Sequence, residues 1–142
     1  TREPFPSLGL SAAHLAIVQK GMSDVTNSLR GTAYRARIEE PGMAMAGKTG
    51  SVQIKRITKA ERERGVSKNE DRLWKDRDHA LFIGYAPVNS PRYAVSVVVE
   101  HGGGGAKTAA PIARDILREV QRRDPARRGP EENIVLDMTA AV

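Results

Sequence analysis

Apolar residues near the start of the chain recur at the spacing of an α-helix. They are Leu15, Val18, Met22 and Val25, three or four positions apart, and therefore fall on one helical face. Ser11 directly precedes the segment and belongs to the residue types that favour helix N-caps. The pattern predicts a helix from about residue 12 to 27.

Three strands are predicted further along. After residues 28–42, which allow one short helix ended by Pro41-Gly42, residues 43–54 are small, apolar and then alternating. Residues 79–87 and 92–100 are apolar at nearly every position, and the Val-Asn-Ser-Pro between them favours a hairpin turn. These last two strands are expected to be antiparallel and buried on both faces.

A glycine run, Gly102 to Gly105, predicts a flexible turn that leads into a final helix over about 107–122. Pro111 is tolerated in its first turn. The predicted core-facing stripe of this helix consists of Ile112, Ala113, Ile116, Leu117 and Val120.

The connection between the first two strands, residues 55–78, is polar and charged, and it is longer than most structureless loops. We expect a surface excursion with one helical turn at Lys-Ala-Glu-Arg-Glu-Arg-Gly, and the most mobile interior segment of the chain. Trp74 is expected to cover apolar surface beneath it, or else to touch a partner.

The element order is helix, strand, excursion, strand, hairpin, strand, helix. It predicts an α/β (α+β) fold, an antiparallel sheet flanked by helices. We expect one folded portion over residues 1–123 and a charged, flexible tail over 124–142.

Composition agrees with a soluble globular protein: 142 residues, 39% hydrophobic and 28% charged. There is no cysteine, which excludes disulfides and thiolate metal sites, and three histidines without paired spacing give a metal little support. No apolar run approaches the ~20 residues of a membrane helix. Because the chain starts at Thr1, we expect a fragment with its targeting segment or membrane anchor upstream.

A net charge of +6 raises the possibility of nucleic-acid binding. The basic residues are interleaved with acids, however, which is typical of a solvated surface. Aromatic residues make up only 4%, so a base-stacking platform is not expected either. A non-catalytic basic interaction domain is kept as an alternative.

Lys48-Thr49-Gly50 is the most informative triplet, because it falls within a predicted strand. Alone it could cradle a phosphate, line a hydrolytic site or decorate a turn. Its neighbours narrow the choice, because several stretches follow one another in a familiar order: GMSDVTN, GTAYRARI, AGKTGSVQI, DHALFIGYAP, AVSVVVEHGGGG and APIARDIL.

These stretches resemble the C-terminal part of the penicillin-binding protein transpeptidase domain, over roughly residues 8–122. The likeness is strongest to class B enzymes of the elongation-type penicillin-binding protein 2 group of Gram-negative bacteria. It implies a partial transpeptidase or serine β-lactamase-like fold, with further strands of the sheet and a helical subdomain supplied from upstream sequence.

The resemblance also implies roles for four residues of the triplet strand. Lys48 would bring positive charge and assist proton movement near a nucleophilic serine. Thr49 would bind the carboxylate of a substrate or β-lactam, and Gly50 would let the acyl group lie flat. Ser51 would add a hydroxyl and a backbone N–H as an oxyanion donor.

The family's Ser-x-x-Lys nucleophile motif is not found in these 142 residues. Ser67-Lys68-Asn69 matches the family's Ser-x-Asn motif literally but follows the triplet, whereas the family places that motif well before it. We therefore expect the nucleophile upstream of this chain, and the chain alone to be inactive.

Two histidine-containing features have simpler explanations. His101 and its glycines resemble a lipase oxyanion loop, but the Gly-x-Ser-x-Gly elbow that such enzymes need is not in the sequence. His79, at the start of a strand, is expected to be structural, and His14 is a lone histidine.

The interpretation is part of a serine D,D-transpeptidase that cross-links peptidoglycan stem peptides and binds β-lactams, without cofactor or metal. It implies the periplasmic face of the inner membrane. A serine β-lactamase fragment is the enzymatic alternative. Self-association is expected of the isolated chain.

Overall fold

The computed structural model describes residues 6, 7 and 9–124. Its helices and strands are α1 (Ala12–Asn27), β1 (Ala46–Val52), α2 (Lys59–Arg64), β2 (His79–Ala86), β3 (Tyr93–Val99) and α3 (Ala109–Arg122), with 3-10 turns at Tyr34–Ala36, Asn69–Asp71 and Trp74–Asp76. The predicted strands, helices and helical turn of the excursion are confirmed, with ends shifted by a few residues. Apart from Asp124, the predicted tail lies outside the described residues.

The three strands form one antiparallel sheet in the order β1-β2-β3. Lys48 lies opposite Ile83, and Val52 lies opposite His79. Ile83 in turn lies opposite Ser96 on β3. The predicted mixed α/β class, with an antiparallel sheet flanked by helices, is confirmed.

Both long helices pack against the same face of the sheet. The core on that face includes Phe82, Val97, Ala113 and Leu117. Ala80, Phe82, Gly84 and Ala86 are buried at alternate positions of β2, as expected for a strand with one covered face. This alternation decides which side chains of the sheet remain available on the other face.

The segment just before β1 is held by both helices. Thr26 near the end of α1 donates its hydroxyl to the carbonyl of Met45 at 2.6 Å. Gln121 on α3 donates its amide to the carbonyl of Met43 at 3.1 Å. Because these bonds are buried, they fix where β1 begins and therefore where the Lys-Thr-Gly triplet lies.

The expectation that β2 and β3 are buried on both faces is wrong for the described part of the chain. Ile83 is 53% exposed and Val98 is 60% exposed, both on the face opposite the helices. A strand sends alternate side chains to opposite faces, and within residues 6, 7 and 9–124 no helix packs on that second face.

The predicted stripe of α3 is also partly wrong. Ile112 and Ile116 are more than two-fifths exposed, and the buried positions are Ala109, Ala110, Ala113, Leu117 and Gln121. Small alanines let the helix approach the sheet closely, so the contact face is rotated towards them and away from the isoleucines.

In α1 the predicted apolar face is only partly buried. Leu15 and Val18 are exposed. Val25 packs against the core, and Thr26 is buried. The helix is therefore anchored at its C-terminal end, and its N-terminal half presents apolar side chains to solvent.

Candidate active site

Lys48 lies in the middle of β1, on the face of the sheet opposite the helices. Its side chain is exposed, and its Nζ donates to the carbonyl of Thr49 at 2.7 Å. Among the described strands β1 pairs only with β2, so one edge of the strand is open beside this lysine. A positive charge on an open strand edge is suited to a bound anion.

Thr49 has a polar neighbour that the sequence did not reveal. Its Oγ1 lies 3.2 Å from the Oγ1 of Thr32. Thr32 is brought there by Gly31, which lies so close to the end of α1 that a Cβ would stand 2.3 Å from the carbonyl oxygen of Asp24. The Gly-Thr-Ala stretch was a visible signal, although no role had been assigned to Thr32.

Beside Thr32 lies an open pocket of about 480 Å³. It is lined by Leu29, Gly31, Thr32, Ala33, Tyr34, Arg35, Ala36, Ala106, Lys107 and Pro111. Lys107 is exposed, so a cation borders the pocket that Thr32 lines. Paired hydroxyls near a cation are groups that can bind a carboxylate.

Gly50 and Ser51 complete the predicted set. A Cβ added to Gly50 would be 3.2 Å from the Cβ of Leu81, and a Cβ on Gly105 would be 2.4 Å from the carbonyl oxygen of Gly50. The glycine turn therefore lies against the backbone of β1, where residue 105 must be a glycine. Ser51 is exposed.

Lys48, Thr49, Gly50 and Ser51 follow one another along the open edge of β1, and the fold adds Thr32 beside Thr49. The fold does not bring Ser67-Lys68-Asn69 to them. Asn69 instead accepts a hydrogen bond at Oδ1 from the backbone N–H of Asp78 at 2.8 Å. This asparagine closes a loop within the excursion.

The second half of the excursion is tied to the turn after β3. The carbonyl of Asp78 accepts from the N–H of Gly103 at 2.8 Å, and its carboxylate pairs with Arg72 at 3.1 Å. The backbone N–H of His101 donates to Nδ1 of His79 at 2.8 Å. His79 therefore has the structural role expected for it, and the two loops form one connected surface.

One expectation was that Trp74 covers apolar surface beneath the excursion, and this expectation is wrong. The side chain is 63% exposed, and its ring lies against that of His101 with centroids 4.1 Å apart. The indole is thus supported on one side and open to solvent elsewhere.

The described residues contain no group of three or more His, Asp or Glu side chains arranged to hold a metal ion. Among these same residues, no helix has the length and apolar character needed to cross a membrane.

Comparison with known proteins identifies the family of the chain. The family described as "Penicillin binding protein transpeptidase domain" matches residues 3–118. The chain belongs to the penicillin-binding protein transpeptidase family.

Its relatives within that family include the peptidoglycan D,D-transpeptidases MrdA. The Acinetobacter baumannii enzyme is 34% identical over 113 residues, covering 78% of this chain and 16% of that protein. The Escherichia coli K12 enzyme is 31% identical over 129 residues, covering 90% and 19%. The chain therefore spans less than a fifth of these relatives' length.

Solved structures show the same fold. Penicillin-binding protein 2 of Pseudomonas aeruginosa, in complex with WCK 5153, matches with a TM-score of 0.62 and 31% identity over 88% of this chain and 23% of that one. The transpeptidase domain of Legionella pneumophila FtsI4 matches with a TM-score of 0.56 and 28% identity, covering 79% and 37%. These matches confirm the resemblance to penicillin-binding protein 2 that the motifs indicated.

Proposed function

We propose that this chain forms the Lys-Thr-Gly side of the active-site cleft of a peptidoglycan D,D-transpeptidase. The nucleophilic serine and its lysine are supplied by another part of the same polypeptide, called here the parent protein. The observation that supports this most is the open edge of β1, along which Lys48 and, at the next residue, the Thr49–Thr32 hydroxyl pair follow one another.

The reaction is acyl transfer through a serine ester. The serine hydroxyl of the parent attacks the carbonyl between the last two residues of a stem peptide, forming a tetrahedral oxyanion. The C–N bond then breaks, and the terminal amino acid leaves as a protonated amine. An amine of a second stem peptide attacks the ester, releases the serine and completes the cross-link.

Residues of this chain stabilise the negative charge that develops in those steps. The backbone N–H of Ser51 donates to the oxyanion, where removal of one such donor typically costs about 2.7–4 kcal/mol. Lys48 stabilises negative charge on the serine side of the cleft and helps its proton to move. The absence of a side chain at Gly50 leaves room for the acyl group along β1.

The terminal carboxylate of the stem peptide is bound by Thr49. Its hydroxyl donates to the carboxylate while its lone pair accepts from Thr32, so both hydroxyl protons have a defined direction. Lys107 at the border of the neighbouring pocket adds a favourable charge. A β-lactam carries a carboxylate and an acylating carbonyl, so it binds the same groups.

The proposal extends to the cellular location of the parent and to one of its partners. The parent acts at the periplasmic face of the inner membrane, held by an anchor outside this chain. The Helicobacter pylori neighbour, 25% identical with a TM-score of 0.60 over 80% of this chain and 18% of that one, is a complex between penicillin-binding protein 2 and MreC. We infer that a protein similar to MreC is a partner of the parent.

Labelled penicillin tests the proposal on the parent protein. Stable labelling is expected, whereas rapid turnover would indicate a serine β-lactamase and no labelling would indicate a non-catalytic interaction domain. Lys48→Ala should lower the acylation rate by orders of magnitude. Lys68→Ala, a change of an exposed lysine outside the cleft, is the matched control and should leave the rate unaltered.

A second measurement tests the division of labour between the chain and its parent. The isolated chain should gain no penicilloyl mass on incubation with penicillin, because its sequence contains no Ser-x-x-Lys motif. A stoichiometric penicilloyl adduct on this chain in mass spectrometry would contradict the proposed location of the nucleophile.

A further inference from the structure

Trp74 is the only tryptophan of the chain and one of its most exposed large side chains. It lies at the end of the excursion, outside the cleft residues described above. Tryptophan offers a large, rigid face at low entropic cost, which is why exposed tryptophans so often lie at binding sites.

The support beneath Trp74 is fixed in place. The ring of His101 lies 4.1 Å from that of Trp74, between centroids. His101 is held by its backbone N–H on His79 and by its Nδ1, which lies 3.0 Å from the carbonyl oxygen of Arg77. The indole is therefore presented by a hydrogen-bonded scaffold tied to the first residue of β2.

This platform lies on the same face of the sheet as Lys48. Lys48 pairs with Ile83 and Val52 pairs with His79, and side chains an even number of positions apart share a face. The His79 ring is 4.8 Å from the His101 ring. The cluster of three rings therefore stands where β1 stops, at the end of the sheet face that carries Lys48.

The direction of a bound stem peptide follows from the roles proposed above. Its terminal carboxylate is at Thr49 and its reacting carbonyl at Ser51, so the rest of the peptide runs past Val52 towards the platform. An extended peptide advances about 3.3 Å per residue, so four residues reach roughly 13 Å. Val52 is connected to Trp74 by one cross-strand pair and by ring contacts of 4.8 and 4.1 Å, so their separation does not exceed that reach.

At that distance a stem peptide joins the sugar of its glycan strand. We propose that Trp74 stacks against a sugar ring of the peptidoglycan glycan strand and so selects glycan-linked donors. The C–H groups on one face of a pyranose are attracted to the negative face of the indole. Lys75, exposed beside it, offers a donor for sugar hydroxyls. This inference rests on the proposed function.

The test uses the parent protein and two donors, a stem peptide on a glycan fragment and the same peptide without sugar. Trp74→Ala and Trp74→Leu should each raise KM for the glycan-linked donor by roughly fivefold or more, the scale of ring stacking on an aromatic side chain. KM for the sugar-free peptide and kcat for both donors should stay close to the parent values. Trp74→Tyr, which keeps an aromatic face, should restore most of the difference.

Leu73→Ala is the matched control, since Leu73 is 68% exposed and adjacent. It should leave both KM values unaltered. Wild-type affinity in Trp74→Leu would show that apolar area alone suffices and would overturn the proposal. An equal rise of KM for both donors would also overturn it, because the contact would then be to the peptide.

Penicillin labelling separates the two proposals. Penicillin carries no sugar, so its reaction with the parent depends on the cleft alone. If the wild-type parent is not labelled, the proposed function fails. If the parent is labelled and Trp74→Ala leaves KM for the glycan-linked donor unaltered, or raises KM equally for both donors, only the inference about Trp74 fails.

Discussion

The ring of Phe82 occupies the space that a side chain at position 47 would need. A Cβ built on Gly47 would be 2.1 Å from Cζ of Phe82, and one on Gly84 would be 2.7 Å from Cε1 of the same ring. Gly47 and Gly84 face each other across β1 and β2. The glycine before Lys48 is therefore a packing requirement of the core directly beneath the triplet.

Gly47→Ala should destabilise the parent's transpeptidase domain by about 1–3 kcal/mol, the usual cost of overpacking a filled core. The midpoint of urea unfolding measures it. Gly104→Ala is the control, because no atom lies within 4 Å of its Cβ position, and it should stay near the wild-type midpoint. Equal midpoints for both variants would mean that Phe82 moves aside freely.

Thr32→Val should weaken binding of the β-lactam carboxylate, because Thr49 loses the partner that orients its hydroxyl. A lost hydrogen bond of this kind is worth about 1 kcal/mol, or roughly fivefold in affinity. The concentration dependence of acylation of the parent separates affinity from rate. Thr32→Ser keeps the hydroxyl and should recover affinity; failure to do so would assign Thr32 a packing role only.

The excursion should divide into two halves in amide hydrogen exchange. Residues 67–78 are tied by side chain to backbone bonds, among them Arg77 to the carbonyl of Glu70 at 3.0 Å and Asn69 to Asp78. Exchange over 55–66 should be faster than over 67–78. Asn69→Ala should remove the difference, and uniformly fast exchange in the unmodified protein would contradict the described network.

The N-cap of α2 should respond to acid. The backbone N–H of Thr58, then the Lys55 ammonium and the Thr58 hydroxyl, lower the pKa of Glu61 from 4.5 to about 2. A lowered pKa in the folded state means that the cap is fully present above about pH 4.5 and is lost as the pH falls towards 2. Carboxyl chemical shifts of Glu61 should report this, and Glu61→Gln should remove the pH dependence of the α2 amides.

How far the sequence could predict the fold depends on the kind of signal. Helical spacing and apolar runs predicted α1, β2 and β3, because local pattern is strong there. The predicted buried face of α3 was wrong because alanines are only weakly hydrophobic and were not given priority over the isoleucines. Alanines nevertheless permit the closest approach of a helix to a sheet. Gln121, buried by its bond to Met43, could not be inferred from polarity.

The residues of the candidate site also differ in how far the sequence could predict them. Lys48, Thr49, Gly50 and Ser51 are consecutive, so one motif was enough to propose them. Thr32 lies seventeen positions earlier and meets Thr49 only through the fold. The position of Trp74 depends on hydrogen bonds of His79 and His101, which no local pattern encodes.

The isolated chain should associate in solution. β1 and β3 are the outer strands of the described sheet, and unpaired strand edges favour pairing with another chain. Apolar side chains add to this on two surfaces: Ile83 and Val98 on the open sheet face, and Leu15, Ile17 and Val18 on α1. In the parent we expect further strands and helices of the same domain to cover these surfaces, whereas the +6 charge of the chain does not pair backbone groups.

Light scattering coupled to size exclusion at micromolar concentration measures this association. Dimers or larger species are expected, and Ile83→Ser together with Val98→Ser should reduce them, because both changes make the open sheet face polar without touching the core. Arg62→Ser on exposed α2 is the control. A folded monomer with cooperative unfolding would show instead that the sheet is complete without a partner.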